Sequence, residues 1–355
     1  MSRPTCFSID LDALRHNFQM IRKHAPSARM IAMVKANAYG HGLLRVARAL
    51  PEADAFGVAC LEEARVLRDG GCLQNIILME GFFSVEELPL LSQSQCDVAI
   101  HNAEQLQQIE TVDHLSQPLS VWIKINSGMN RLGFFPEEIS DVFCRLKQCE
   151  KVKSVRLMSH LSDADVVDHA KTHQQIRVFK QLLKDFSVEG SLANSGGVLA
   201  CPDSHCQWIR PGILLYGVSP LKGTVGEQYA LKPVMHLSSK IIAIRKQRQG
   251  DAIGYGSTWV CPEDMPVGTV AVGYGDGYPW HAISGTPVLV NGIRSQIIGR
   301  VSMDMLTIDL RACPNADIGD EVVLWGRGLP VETVAEYVGT ISYELLCSAR
   351  DRSYP

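Results

Sequence analysis

A lysine closes the first interior run of strand character: MIAMVK at 30–35 leads into Ala36-Asn37-Ala38-Tyr39-Gly40-His41-Gly42. An amine at the end of an apolar strand is partly desolvated, which suits it to nucleophilic and Schiff-base chemistry. The segment alone fits equally well a lysine whose stem packs on the strand while its ammonium reaches water. Asn194-Ser195-Gly196-Gly197 and Arg210-Pro211-Gly212-Ile213 lie at the far end of the same half of the chain. Their small residues expose backbone N–H groups of the kind that bind phosphate. A lysine on one strand and a phosphate cradle on opposite loops together suggest pyridoxal 5'-phosphate, although each alone is ordinary turn chemistry. A second constellation, His160, Asp163, Asp165, Asp168, His169 and His173, has metal-ligand residue types and would suit a metal-dependent barrel hydrolase. Its HAKTH stretch lacks the Glu of His-Glu-x-x-His and should face solvent, so no metal is expected.

These groups need a frame that brings distant strand ends together. Eight β-rich runs, near 30–35, 54–59, 75–79, 97–100, 120–126, 154–159, 191–194 and 208–216, alternate with amphipathic stretches such as LEEARVLRD and HQQIRVFKQLLKDF. The alternation predicts an α/β fold with an N-terminal (β/α)8 TIM-type barrel, whose chemistry belongs at the C-terminal strand ends. No GxGxxG follows the first strand, which argues against a dinucleotide site. Leu11, Leu14, Phe18 and Ile21 mark an opening helix with Asp10 as its N-cap. From about residue 235 short β runs separated by Gly, Pro, Asn and Asp take over, with helical pattern returning only at PVETVAEYV and SYELLCS. The expected organisation is a barrel over 1–230 and a mainly β domain over 231–355. Residues 222–227 are the best linker, and the first few residues are able to pair with the β domain.

Composition narrows the class. With 355 residues the chain has room for about two domains, and 46% apolar with 20% charged residues excludes a disordered or coiled-coil chain. A net charge of −4 with no Lys/Arg run makes nucleic acid a poor partner. MSRPTCFSIDLDALRHNF lacks a signal-type apolar stretch, and no run approaches the ~20 apolar residues of a membrane span. The eleven cysteines include no Cys-x-x-Cys pair, which reads as free thiols in a reducing, cytoplasmic setting.

The segment AMVKANAYGHG resembles the cofactor-lysine signature of the alanine racemases, fold-type III pyridoxal phosphate enzymes. WIKINSGMNRLGF, LMSHLSDAD, ANSGGVLA, WIRPGILLYG, VGYGDGYP, GRVSMDM and ISYELLC follow in the family's order along almost the whole chain. The resemblance implies interconversion of L- and D-alanine by two opposed acid/base groups, Lys35 and Tyr274. Lys35 would also carry the cofactor. Tyr39, Ser195, the backbone at Gly212 and Ile213, and Tyr343 are implied as phosphate or cofactor contacts. Arg210 is implied as the donor to the pyridine nitrogen, with His160 packed beside the ring. A permanently protonated arginine there keeps the nitrogen an acceptor and weakens the electron sink. Arg131 and the Met303 amide resemble groups that bind the substrate carboxylate, and Lys124 resembles a lysine that is often carbamylated and braces that arginine. Asp165, Arg300 and Ile341 match positions lining a narrow substrate mouth. The family also implies a homodimer in which Tyr274 and Met303 serve the partner's barrel.

Some positions depart from the family pattern: Asn126 and Ser127 for Asp and Thr, Ser302 for Cys or Ala, and Trp280 for Arg, while the ending CSARDRSYP lacks the usual Arg-x-Pro. None removes a catalytic group; Ser302 and Trp280 bear on substrate range and affinity. Other readings are a broader small-amino-acid (serine) racemase, a non-catalytic cofactor carrier and a basic amino acid decarboxylase. A carrier would stop before the β domain, and the decarboxylases use a cysteine motif not found here. D-alanine points to cell-wall precursor supply or to alanine catabolism.

Overall fold

A computed structural model describes residues 3–350. The described chain divides into two units, one of Arg15–Leu215 with Pro220–Gly223, the other of 3–14, Tyr216–Ser219 and 224–350.

In the larger unit eight parallel strands close into a barrel: Arg29–Met33, Ala55–Val58, Asn75–Leu78, Cys96–Ile100, Leu119–Lys124, Val152–Met158, Gly190–Ser191 and Trp208–Ile209. The strands are near-continuous apolar runs, as expected where helices cover a parallel sheet. Ala55–Val58 and Cys96–Ile100 are buried at every position. The helices bury one stripe each: Ala170–Phe186 buries Thr172, Gln175, Ile176, Phe179 and Leu182 at three- and four-residue spacing. Asp97 is buried in this wall. Burial pushes its carboxyl up, opposed by hydrogen bonds from Asn75 and Trp122 and by the charge of Arg156.

Two expected strands are cut short: the run over 191–194 pairs only over Gly190–Ser191, because Asn194 turns to cap the helix Ser195–Ala200. The run over 208–216 ends at Ile209, and Ile213–Tyr216 is a 3-10 turn. Pro211 has no N–H to give a ladder and the turn follows at once. The break sets Gly212 and Ile213 in a loop at the barrel's C-terminal end rather than inside a strand.

The smaller unit is built on a seven-stranded sheet that runs Ile293–Gln296, Pro287–Val290, Glu321–Trp325, Met235–Gln247, Met265–Val270, Leu306–Asp309, with Cys6–Ile9 added to Met235–Gln247. All its pairs are antiparallel. The long strand Met235–Gln247 serves different neighbours along its length, with register shifts after Leu237 and Ile241. Tyr278 and Trp325 stack at 5.8 Å in the interior. Helices Val331–Val338 and Ser342–Ser348 end the described chain, and the last five residues of CSARDRSYP lie outside the described residues. Helix Leu11–His24 carries its first turn in this unit and the rest in the barrel unit. Asp10 caps it, accepting from Ala13 N at 2.9 Å, and this contact, its largest influence, holds the carboxyl below its ordinary value.

Candidate active site

The barrel unit gathers one set of the sequence-assigned residues. Lys35 follows strand Arg29–Met33, and immediately after it the chain makes an unusual turn. Ala36, Asn37, Ala38 and Tyr39 all have positive φ, between 53° and 55°. Each left-handed non-glycine residue costs about 1–2 kcal/mol, so the turn needs holding. Ala38 N donates to Val34 O at 2.7 Å, Gly42 N to Asn37 O at 2.9 Å and Leu43 N to Asn37 Oδ1 at 2.8 Å. His41 completes the hold, its Nδ1 donating to Ala38 O at 3.0 Å and Tyr39 O at 2.9 Å. Burial lowers the His41 pKa to about 4, so the ring is neutral and Nδ1 keeps its single role as donor. Sequence reading gave His41 no role; a histidine two residues after Tyr39 in KANAYGHG was the available signal.

Tyr39, Ser195 and Gly212 converge. An ideal Cβ on Gly212 would lie 2.4 Å from Tyr39 Oη, so only glycine lets this backbone approach the phenol. Gly212 N donates to Ser195 Oγ at 2.9 Å. Ser195 opens the short helix Ser195–Ala200, capped by Asn194, whose Oδ1 accepts from Gly197 N at 3.0 Å. A Cβ on Gly196 would meet Ala164 O at 2.4 Å, so this glycine admits the loop that carries Asp165. Asp165 itself pairs with Lys222 of the same unit, Nζ to Oδ2 at 2.8 Å. Ile213 is buried beside Gly212.

Arg210 is 4% exposed. Its guanidinium donates to Ser191 Oγ at 2.7 Å, to Leu192 O at 3.3 Å, to Ser159 O and, at 3.3 Å, to His160 Nδ1. Burial brings its pKa down only to about 10, so it remains a donor at neutral pH. Both ring nitrogens of His160 face N–H donors, Nδ1 that of Arg210 and Nε2 that of Asn194 Nδ2 at 3.4 Å. Burial first, then the charges of Arg210, Arg131, Lys124 and Lys35, hold it well below the ordinary histidine range and neutral. Lys124 ends strand Leu119–Lys124 with Nζ 3.3 Å from Met79 O. Its pKa falls to about 8, through burial and then the charges of Arg210, Arg131 and Lys35. Among the described residues none of Lys35, Lys124, Arg131 and Arg210 forms an ion pair with a carboxylate. Four cationic side chains that feel one another make a site for anionic groups.

The smaller unit gathers the second set. Tyr274 stands in the 3-10 turn Tyr274–Asp276 and is 40% exposed; Met303 is 54% exposed. Tyr274 N donates to Ser302 O at 3.1 Å and Gly275 N to Met303 O at 2.9 Å, so the VGYGDGYP and GRVSMDM motifs form one surface. Beside Tyr274 an open groove of about 290 Å³ is lined by Tyr278, Pro279, Trp280, His281, Glu344 and Arg350, among others. Arg300 stands over the Trp280 ring at 5.9 Å. Ile341 is exposed, and Tyr343 is half-buried on helix Ser342–Ser348. Of the histidine and aspartate constellation, His173 Nε2 lies 2.7 Å from Asp168 Oδ1 in an exposed pair.

The sequence matches the families described as alanine racemase, N-terminal domain, over residues 9–220, and alanine racemase, C-terminal domain, over residues 234–354. It is 50% identical to an alanine racemase of Shewanella sediminis over 345 residues, covering 97% of this chain and 96% of that one. It is 48% identical to a biosynthetic alanine racemase of Escherichia coli, covering 97% and 96%. The crystal structure of the biosynthetic alanine racemase from Pseudomonas aeruginosa superposes with a TM-score of 0.96 at 44% identity, covering 99% of this chain and 98% of that one. With both halves matched in order and the barrel followed by the β unit, the chain belongs to the alanine racemase family.

Proposed function

We propose that the chain racemises alanine with pyridoxal 5'-phosphate bound at the barrel mouth, Lys35 and Tyr274 serving opposite faces of the substrate Cα. The observation that carries the reading is the group of four cations, Lys35, Lys124, Arg131 and Arg210, set around neutral His160 and beside the Tyr39–Ser195–Gly212 cradle. The fit is chemical: the cradle presents two hydroxyls and close backbone, as a phosphate needs, and the cations suit both a phosphorylated cofactor and an amino acid carboxylate. Tyr39, Ser195, Gly212 and Ile213 would hold the phosphate together with Tyr343, His160 would pack against the ring, and Lys35 would hold the cofactor covalently. When bound, the cofactor supplies an electron sink that acidifies the substrate Cα–H.

The residues then divide the work. Arg210, protonated and buried, can only donate, so a ring nitrogen set against it stays an acceptor. Arg131 takes the substrate carboxylate, with the Met303 amide as a further donor. Racemisation removes a proton from one face and returns one to the other, and one base on each face does this without turning the substrate. Lys35 moves the proton on one face and Tyr274 on the other. Tyr274 and Met303 belong to the smaller unit, and we assign them to the site of a partner copy, making the enzyme a homodimer with shared sites. Asp165, Arg300 and Ile341 would narrow the substrate mouth. Eleven cysteines that are all free, with none in a disulfide, support a cytoplasmic enzyme. Among the described residues no helix is long and apolar enough to cross a membrane.

Lys124 has its own expected state. With its pKa lowered to about 8, Lys124 offers more free amine at neutral pH than an ordinary lysine, and the free amine is the form able to add carbon dioxide. Carbamylation would turn a cation that repels Arg131 into an anion that braces it. Native mass measurement in bicarbonate should show one added carbon dioxide that is lost in Lys124→Met; an unmodified wild-type chain would contradict this.

The experiment that tests the reading is a racemisation assay over small and basic amino acids with added pyridoxal phosphate. Alanine should turn over fastest. Serine should follow more slowly, because a pocket discriminates by only about 1–3 kcal/mol against so small a change. Faster turnover of lysine or arginine would contradict the assignment.

A further inference from the structure

The turn that presents Tyr274 is built on a carboxylate withdrawn from solvent. The Asp276 side chain is 1% exposed, and its Oδ2 accepts from Gly273 N at 3.0 Å, closing the turn from the residue before Tyr274. A carboxylate this buried requires a compensating cation. Arg3 supplies it, with Nη2 2.8 Å from the same oxygen. That nitrogen also donates to Ala271 O at 3.2 Å and to Asp304 O at 3.1 Å. Thr5 Oγ1 reinforces the first of these sites, donating to Ala271 O at 2.6 Å. One guanidinium therefore ties the N-terminal segment to three nearby stretches: the backbone leaving strand Met265–Val270, the Tyr274 turn that follows it and the turn that bears Met303.

The two turns already lie close. A Cβ on Gly273 would sit 2.2 Å from Ser302 O and 2.4 Å from Met303 O, so a small relative shift would clash or would open the contact. Behind the turn, Arg350 N donates to Asp276 O at 3.1 Å, and a Cβ on Gly277 would meet Ser348 O at 2.0 Å. The turn is thus fixed on its far side by the last helix, and on the side of Met303 by Arg3.

We propose that Arg3 and Asp276 are positioning residues that fix the Tyr274 phenol relative to the Met303 turn, so that the N-terminal segment of the chain controls proton transfer at one face of the substrate. This rests on the reading of Tyr274 as one of two opposed bases. The pair acts through backbone geometry and touches no reacting atom. Arginine adds a second nitrogen to these contacts, its Nη1 lying 3.8 Å from Asp304 Oδ1, so that its charge faces both turns, which the single nitrogen of a lysine does not reproduce.

The test uses the holoenzyme and Cα-deuterated L- and D-alanine. Tyr274→Phe first marks the enantiomer whose proton Tyr274 takes, as the one whose primary isotope effect and kcat change more. In Arg3→Met the isotope effect should rise for that same enantiomer and kcat fall by about 10–100-fold, since small misplacements of a reacting group carry such losses. The other enantiomer's isotope effect should not rise, because Lys35 still abstracts its proton and only reprotonation slows; the visible cofactor band should stay near wild type, and Arg3→Lys should recover part of the loss. Isotope effects in Arg3→Met that match wild type, or that move equally for both enantiomers, would overturn the proposal. If Arg3→Met does not fold, Arg3→Met with Asp276→Asn removes the buried charge while keeping an acceptor for Gly273, and is read by the same two outcomes. A Tyr274→Phe that alters both enantiomers alike would bring down the two-base reading itself; asymmetry there with symmetry in the Arg3 variants would bring down only this proposal.

Discussion

Lys35→Ala should lower alanine racemisation by at least about 10³-fold and abolish the visible absorption band of the holoenzyme. Two roles are lost together in this variant: the covalent hold on the cofactor and the proton transfer on one face. The surroundings of Lys35 leave little to take its place. Lys124 is tied to the end of its own strand beside Met79 O, Arg210 remains protonated with its pKa about 10, and Arg131 is a guanidinium, a group suited to binding anions rather than to taking protons. The left-handed turn at Ala36–Tyr39 is held by main-chain bonds and by His41 rather than by the Lys35 side chain, so the fold should survive the substitution. Circular dichroism and thermal melting separate that outcome from simple unfolding. A Lys35→Ala protein that keeps the visible band would sink the cofactor assignment.

Tyr274→Phe should lower racemisation by about 10²–10⁴-fold, the usual contribution of a positioned general base, and should affect Cα-proton exchange unequally for the two enantiomers. Abstraction from the enantiomer facing Tyr274 loses its base, while abstraction from the other still begins at Lys35 and fails only at reprotonation. Exchange of the Cα proton with solvent deuterium in the absence of full racemisation is the signature: it should persist for one enantiomer and nearly vanish for the other. The phenylalanine ring keeps the packing of the exposed tyrosine, and the turn's main-chain bonds to Ser302 and Met303 do not involve the hydroxyl. Equal and mild losses of Cα-proton exchange for both enantiomers would contradict a division of labour.

Much of the fold was legible because its signals are local. Eight apolar runs separated by amphipathic helices lie where the barrel strands form, and Asp10 is recognisable as a cap from position alone. The strand over 208–216 was overextended because apolar composition conceals what Pro211 does to a ladder. The turn after Lys35 was not legible at all: Ala, Asn, Ala and Tyr have no local reason to adopt four positive φ angles, and the conformation is imposed by His41 and by neighbouring backbone.

The candidate site shows the same divide between local and distant causes. Lys35, Tyr39, Ser195, Arg210 and Tyr274 stand in short motifs whose residue types suggest chemistry. The depressed pKa of Lys124 comes first from burial in the assembled barrel and then from three cations on other strands and loops. The tie between Arg3 and Asp276 spans 273 residues, and no spacing rule connects an arginine at the start of a chain to a turn near its end. Asp276 reads as a turn residue in GYGDGY; only its burial makes it a charge that must be answered.

The central claim is that each site draws Lys35 from one chain and Tyr274 from another. Its most direct test mixes inactive Lys35→Ala protein with inactive Tyr274→Ala protein under conditions that let dimers exchange. A heterodimer then holds one site with both residues intact and one with neither, so racemase activity should appear on mixing and grow with the heterodimer fraction. A mixture that exchanges subunits, as seen by native mass measurement, yet stays as inactive as its parents would contradict the account.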